Sequence, residues 1–185
     1  FFNQGQVCTA GSRLLIHQDV YEEVMGRVAD EAKNIKVGPG MCADTTMGPL
    51  VSLEQQEKVI NYIRSGEQAG ARILTGGGSM QTGCYVEPTV FDNVNPDMKI
   101  VTEEIFGPVV VAAPFEDLDA VIARGNDTEY GLAASVWTKD INKAHKVAKG
   151  LKAGTVWVNC HNIFDAAAPF GGYKRSGFGR EMGIH

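Results

Sequence analysis

The chain has 185 residues, of which 44% are hydrophobic, and its formal net charge is −5 at pH 7. This length and composition suit one ordinary domain core, and the acidic balance argues against a nucleic-acid partner because there is no basic run to neutralise phosphates. No apolar stretch approaches the roughly 20 residues that cross a bilayer, and the first residues do not resemble a secretion signal. We therefore expect a cytoplasmic protein with no membrane partner.

The four cysteines, Cys8, Cys42, Cys84 and Cys160, are far apart in the sequence. Their spacing matches no zinc motif, so no metal site is predicted. A chain with this hydrophobic content does not need disulfides for stability. Free thiols in a reducing compartment are the simplest expectation.

The first predicted elements are a strand over residues 12–17 and a helix capped by Asp19, with Glu22 three residues later. The helix is expected to end before Gly38, because glycine and the proline after it do not continue a helix. Its predicted buried stripe consists of residues at helical spacing: Val20, Val24, Val28, Ala32 and Ile35.

A second helix is predicted to begin after Ser52, because Gln55 follows three residues later in a capping pattern, and to end near Gly70. Its inward residues are expected to be Val59, Ile60 and Ile63.

Later segments continue the alternation of strands and helices. Strands are predicted over residues 72–75 and 85–90, around a turn of three glycines, and over residues 109–115, which are apolar on both faces. A helix over residues 141–151 leads to a strand over residues 155–159, and a glycine-rich loop region follows. This order predicts an α/β fold with a mostly parallel, twisted sheet and helices on both faces, whose ligands bind beyond the carboxyl ends of the strands.

Cys8 is the first candidate for chemistry, since small residues follow it and let the backbone approach a ligand closely. A nearby helix start or a cluster of backbone amides would stabilise a thiolate, and also an oxyanion at an attacked carbonyl. The alternative is that Cys8 is a small buried packing residue, as most lone cysteines are.

Two other segments combine charges, rings and glycines. In residues 103–108 a pair of glutamates precedes a phenylalanine and a Gly-Pro turn, which would hold a hydroxyl-binding oxygen close to a stacking ring. The alternative is a solvated pair before a strand. In residues 169–181 glycines and cations alternate with aromatics, which suits a phosphate cradle only weakly, and a packed connecting loop is the favoured interpretation.

Together, four segments resemble the signature segments of the aldehyde dehydrogenase superfamily in order and approximate spacing. They are FFNQGQVCTAGSR at 1–13, EEIFGPV at 103–109, GTVWVNC at 154–160 and PFGGYKRSGFGRE at 169–181. The resemblance covers essentially the whole chain. It implies that residues 1–185 form the cysteine-bearing catalytic domain of an NAD(P)-dependent enzyme.

The resemblance makes Cys8 the nucleophile that adds to an aldehyde. In the family, the resulting oxyanion is held by the cysteine amide and an asparagine, hydride passes to the nicotinamide, and water activated by a glutamate hydrolyses the thioester. Covalent catalysis helps because hydride leaves a tetrahedral adduct more readily than it leaves a free aldehyde.

The resemblance also implies binding residues. Glu104 matches the glutamate that binds the nicotinamide ribose, Gln55 a helix glutamine that reaches the same ribose, and Phe106 the ring beside the nicotinamide. The residues that match the aldehyde tunnel are Phe2, Val7, Thr9, Phe164 and Phe170. An apolar, aromatic tunnel favours aromatic or medium-chain aliphatic aldehydes as the small-molecule substrate.

The family places its dinucleotide-binding domain, the oxyanion asparagine and the base glutamate before the nucleophile segment, and this sequence contains none of them. We therefore expect a fragment that is inactive by itself, with NAD or NADP (NAD favoured) bound largely by the missing domain. The full-length protein is expected to be a homodimer or homotetramer.

Three alternatives remain at this stage. A thiol hydrolase or acyltransferase would pair Cys8 with His17, His145, His161 or His185 as the base. An acylating aldehyde dehydrogenase would pass the thioester to coenzyme A. A truncated domain without catalysis would bind no NAD.

Overall fold

The computed structural model describes residues 1–184 and contains two compact units, Phe1–Pro114 and Phe115–His185. His185, one of the candidate bases and the end of the predicted glycine-rich loop region, lies outside the described residues. None of the helices within residues 1–184 is long and apolar enough to span a membrane.

The first unit alternates strands and helices, after a short 3-10 helix at Phe2–Gly5. In chain order its elements are β1 (Arg13–His17), α1 (Tyr21–Asn34), α2 (Leu53–Gln68), β2 (Arg72–Thr75), β3 (Thr89–Asp92), α3 (Lys99–Thr102) and β4 (Val109–Phe115), the last of which ends one residue into the second unit.

The four strands form one sheet in the order β1-β4-β3-β2. β3 and β4 are parallel, whereas β2 pairs with β3 as an antiparallel edge strand. Alternate residues of β3 and β4 face opposite sides of the sheet, which is the period of a strand. One side packs on α2 through Val59, Ile63, Phe91 and Val111, and the other packs on α1 through Met25, Ala32, Val90 and Ala112. The α/β class with helices on both faces is therefore confirmed.

The predicted start of the first helix is wrong. A 3-10 turn at Gln18–Val20 follows β1, and the backbone amide of Asp19 donates to the His17 ring, so Asp19 does not cap a helix. α1 begins at Tyr21, and its buried face agrees with the predicted stripe at Ala32 and at the partly buried Val28 but not at Val20. Val20 is exposed, and the buried residues are Met25, Ala29 and Ala32.

The second helix begins as predicted, since the Ser52 hydroxyl accepts a hydrogen bond of 3.1 Å from the Gln55 amide. The strand predicted over residues 85–90 instead covers Thr89–Asp92. Pro88 supplies no amide hydrogen for a strand ladder, so the segment before it forms only one isolated bridge, between Val86 and Ser79. The short helix α3 was not predicted.

The second unit has a smaller core around Ala144, Val147 and Trp157. Its parallel strand pair is β6-β7 and its antiparallel pair is β5-β8. Its elements are α4 (Leu118–Asn126), β5 (Tyr130–Gly131), β6 (Ala133–Val136), α5 (Ile141–Gly150), β7 (Thr155–Val158) and β8 (Tyr173–Lys174). The sequence predicted α5 and β7; α4, β5, β6 and β8 were missed because they are short or weakly periodic.

Candidate active site

Cys8 lies on a tight turn between the 3-10 helix and β1. The Ala10 amide donates to the Val7 carbonyl at 2.9 Å, which closes the turn around the cysteine. The Cys8 side chain is a free, exposed thiol, whereas Thr9 is only 5% exposed. Within residues 1–184 the Cys8 amide donates to no other group. Cys8 is therefore not a buried packing residue within the described part of the chain.

The turn is held in place by two contacts of the residues before it. Gly5 has φ 68° and lies so close to the Gly107 carbonyl that any side chain there would collide with it. The Gln6 side-chain oxygen accepts a hydrogen bond of 3.1 Å from the Val51 amide, just before α2. The nucleophile segment is therefore anchored both to the start of α2 and to residues 103–108, which we call the Glu103–Pro108 loop.

The Glu103–Pro108 loop has an unusual backbone. Phe106 has φ 57°, in the left-handed region that costs a side-chain-bearing residue about 1–3 kcal/mol, and the residue is 37% exposed. The Gln55 side-chain amide donates to the carbonyls of Ile105 at 3.2 Å and Phe106 at 2.8 Å. These bonds hold the strained residue in place from α2.

The two glutamates of the loop differ in their contacts. Glu103 accepts a hydrogen bond of 2.7 Å from the Tyr62 hydroxyl. The Glu104 side chain is exposed and makes no hydrogen bond or ion pair within the described part of the chain. The Glu104 carboxylate is thus available to a ligand, whereas the Glu103 carboxylate is already hydrogen-bonded to Tyr62.

Gln55 does more than the sequence suggested. Its side-chain oxygen does not accept from the Ser52 backbone amide, so the capping box at Ser52 is not completed, and its side-chain nitrogen donates to the loop carbonyls. Its side-chain oxygen accepts no hydrogen bond from residues 1–184 and is available to a hydroxyl group. Its position at the start of α2, against the loop, is compatible with the predicted role beside Glu104.

The predicted substrate residues fall in both units. Phe2, Val7 and Thr9 belong to the first unit, where Phe2 is 78% exposed. In the second unit, Phe164 packs edge-to-face on Trp157 and on Phe170, with ring centroids 5.5 and 5.0 Å apart. The two predicted substrate residues of the second unit, Phe164 and Phe170, therefore belong to one aromatic cluster with Trp157.

The aromatic cluster contains a polar pair that the sequence did not reveal. The His161 ring lies 5.1 Å from the Trp157 ring, and its Nδ1 is 2.6 Å from the Ser135 hydroxyl. The sequence suggests His161 only as a candidate base for Cys8. In the first unit, the sole histidine, His17, accepts from Asp19 and makes no hydrogen bond with Cys8. No Cys-His pair therefore forms within that unit.

The glycine-rich tail uses its cations internally. The Arg180 guanidinium donates to the Gly172 and Gly179 carbonyls at 3.0 and 2.6 Å and lies over the Tyr173 ring. Lys174 donates to two backbone carbonyls of residues 126 and 128, at 2.9 Å each. This supports the packed connecting loop over the phosphate cradle. No cluster of three potential metal ligands occurs among residues 1–184.

Comparison with known proteins assigns the family. The sequence matches the aldehyde dehydrogenase family over residues 1–185, and the chain belongs to this family. DhaS of Bacillus subtilis (strain 168), assigned by name to the aldehyde dehydrogenases, is 56% identical over 185 residues, which are 100% of this chain and 37% of DhaS. The mitochondrial benzaldehyde dehydrogenase of Antirrhinum majus is 50% identical over 184 residues, which are 99% of this chain and 34% of that protein.

Solved structures agree with this family. An NAD+ complex of aldehyde dehydrogenase from Bacillus cereus has a TM-score of 0.96 and 54% identity, and the match covers 98% of this chain and 37% of that one. A point mutant of betaine aldehyde dehydrogenase from Staphylococcus aureus, in complex with NAD+ and with a BME-modified cysteine, has a TM-score of 0.95 and 45% identity, covering 99% and 38%. The chain therefore spans a little over a third of the length of these relatives.

Proposed function

We propose that this chain is the cysteine-bearing catalytic domain of an NAD(P)-dependent aldehyde dehydrogenase that oxidises an aldehyde to a carboxylic acid. The observation that carries the proposal is the exposed Cys8 thiol on a turn that is anchored to the Glu103–Pro108 loop. The family membership of the chain supports the same reaction. Because the relatives are longer, the rest of the cofactor site is proposed to come from sequence outside these 185 residues.

The proposed chemistry begins at the sulfur of Cys8. The thiolate forms a C–S bond with the aldehyde carbon, and the carbonyl electron pair moves to oxygen, where the Cys8 amide is available to stabilise the charge. Bound NAD(P)+ supplies the oxidant that accepts hydride from the carbon. Water then cleaves the C–S bond of the Cys8 thioester, which releases the acid and restores the thiol.

Three residues of the first unit fit the nicotinamide end of the cofactor. The unbonded Glu104 carboxylate and the free oxygen of Gln55 are acceptors for ribose hydroxyls, and the partly exposed Phe106 ring offers an apolar face. We propose NAD rather than NADP, supported by the NAD+ present in the two related structures. Initial rates with each cofactor test this preference, and a higher kcat/KM with NADP would contradict it.

The proposed substrates are aromatic or medium-chain aliphatic aldehydes. The cluster of Trp157, Phe164 and Phe170 in the second unit supports this class, because aromatic rings bind apolar groups well. The name of the Antirrhinum relative is compatible with it. In the intact enzyme that contains this chain, we expect kcat/KM for phenylacetaldehyde to exceed that for a carboxylate-bearing semialdehyde by at least about tenfold. A preference for the charged aldehyde would contradict the proposal.

The role of Cys8 is tested by a pair of substitutions in the intact enzyme. Cys8→Ala should abolish NADH production and remove the acyl adduct that mass spectrometry detects after rapid quenching. Cys42→Ala is the matched control, because Cys42 is also an exposed thiol of the first unit, and it should keep both signals. The BME-modified cysteine of the Staphylococcus relative shows that a thiol in one family member reacts covalently. Normal turnover by Cys8→Ala would refute the proposed function.

The predicted assembly as a homodimer or homotetramer and the predicted cytoplasmic location belong to the same proposal. Size-exclusion chromatography with light scattering of the intact enzyme measures the first, and a monomer would contradict it.

A further inference from the structure

Tyr62 lies on the same face of α2 as Gln55, because seven residues are close to two helical turns. From this face, Gln55 donates to the carbonyls at positions 105 and 106. Two turns further along, the Tyr62 hydroxyl donates a hydrogen bond of 2.7 Å to the Glu103 carboxylate. One helix face therefore holds the loop on both sides of Glu104.

The same face of α2 packs closely along the loop and the helix before it. A side chain at Gly107 would collide with Val59, and a side chain at Gly66 would collide with Ile100 of α3. Ile100 and Val59 are both almost completely buried. The backbone that leads into and out of Glu104 therefore rests on a rigid surface, while its carboxylate remains exposed.

We infer that Tyr62, acting through Glu103, is a positioning residue that fixes Glu104 for the hydroxyl groups of the nicotinamide ribose; this inference rests on the proposed function. A ligand that binds a preorganised carboxylate avoids the cost of ordering the loop. Without the Tyr62 hydroxyl, the Glu103 side chain loses its anchor on α2. The Glu103 backbone amide keeps its hydrogen bond to the Lys99 carbonyl, and Gln55 still holds the other side of Glu104. Tyr62 therefore controls cofactor affinity without touching the cofactor.

The test compares Tyr62→Phe with Tyr21→Phe in the intact enzyme. Each removes one hydroxyl hydrogen bond of the first unit, to Glu103 or to the Ala112 carbonyl. We expect Tyr62→Phe to raise the Kd for NAD+ about three- to tenfold and to speed amide hydrogen exchange in the Glu103–Pro108 loop. The thermal midpoint and the iodoacetamide reaction of Cys8 should not change, and Tyr21→Phe should leave the Kd for NAD+ unchanged.

Substitutions of Glu103 distinguish loss of the Tyr62–Glu103 hydrogen bond from a general destabilisation of the fold. Glu103→Gln keeps an acceptor for the Tyr62 hydroxyl and should raise the Kd for NAD+ no more than about twofold. Glu103→Ala should raise the Kd for NAD+ as much as Tyr62→Phe does. The double variant should bind NAD+ no more weakly than either single variant, because both substitutions remove the same hydrogen bond. Should Tyr62→Phe not fold, Glu103→Ala on the exposed loop decides the question.

The outcomes separate the two claims. Wild-type binding of NAD+ together with unchanged affinity and loop exchange in Tyr62→Phe overturns the inference about Tyr62 alone. An equal loss of affinity in Tyr21→Phe also overturns it, because the effect is then not specific to the loop. A wild-type enzyme that binds no NAD+ contradicts the proposed function itself.

Discussion

At the scale of single residues, Gly5 sets how closely the Cys8 turn packs against the Glu103–Pro108 loop. Gly5 combines a left-handed φ of 68° with contact against the Gly107 carbonyl, so no other residue fits without moving the backbone. The sequence showed Gly5 only as a small neighbour of the cysteine. Its actual task is to dock the nucleophile turn onto the loop that carries Glu104.

A substitution at Gly5 tests this docking. Gly5→Ala must either shift the turn or push away the Gly107 carbonyl, and we expect it to lower the free energy of unfolding by about 1–3 kcal/mol and to change the alkylation rate of Cys8. Gly26→Ala is the matched control, because a side chain placed there in α1 meets nothing within 4 Å beyond the neighbouring backbone of the helix. Alanine favours helix there, so the control should be neutral or stabilising. Urea unfolding and iodoacetamide kinetics measure both quantities, and equal effects of the two substitutions would contradict the docking role.

Candidate site residues could be predicted from the sequence only where the residues adjacent to them in the chain also indicate the site. Cys8 follows a run typical of the family, and Glu104 adjoins Phe106 in the sequence. Tyr62 carried no such signal, because its partner Glu103 is 41 residues away. The seven-residue spacing from Gln55 becomes informative only after the loop is known to cross that helix face.

Among the elements, the edge pair β2-β3 contains an ion pair between Arg72 and Asp92. Arg72 donates from Nε to Asp92 at 2.8 Å, and Asp92 is almost fully buried although Arg72 is largely exposed. The hydrogen bonds to Asp92, and then its negative charge, raise the pKa of Arg72. Loss of the Arg72 cation would leave the Asp92 carboxylate buried and unpaired, whereas loss of the carboxylate would leave Arg72 exposed to water.

Removal of this cation should destabilise the edge of the sheet. We expect Arg72→Gln to lower the urea midpoint clearly, because it leaves Asp92 buried without its counter-charge. Arg27→Gln breaks an exposed pair with Glu23 on α1 and should change the midpoint little. Equal midpoints for the two variants, measured by circular dichroism, would show that the Asp92 pair contributes no more than a surface pair.

The elements that the sequence predicted well are those with a strong local cause. β2 and β4 have the predicted bounds, and α2 begins at its Ser52 cap. The prediction failed at the start of α1, where a local hydrogen bond from the Asp19 amide to the His17 ring forms a 3-10 turn. Short elements such as β8 have only two residues and depend on a partner strand elsewhere in the chain.

At the scale of the whole molecule, the 185 residues correspond to 37% of the length of DhaS. We expect the isolated chain to produce no NADH from NAD+ and aldehyde, because most of the cofactor site is proposed to lie outside it. Iodoacetamide should still label Cys8, whose exposure depends on contacts within the first unit. Spectrophotometry and peptide mass spectrometry measure the two results. NADH formation by the isolated chain, or an unreactive Cys8 in folded protein, would each contradict this prediction.

The exposure of two thiols also makes the protein prone to oxidation during storage in air. Cys8 and Cys42 both lie at the surface of the first unit, so oxygen and peroxides reach either sulfur. Stored without a reductant, molecules will become covalently crosslinked through these sulfurs. The mixture will run as a ladder on non-reducing gels, and substituting both cysteines will leave a single band.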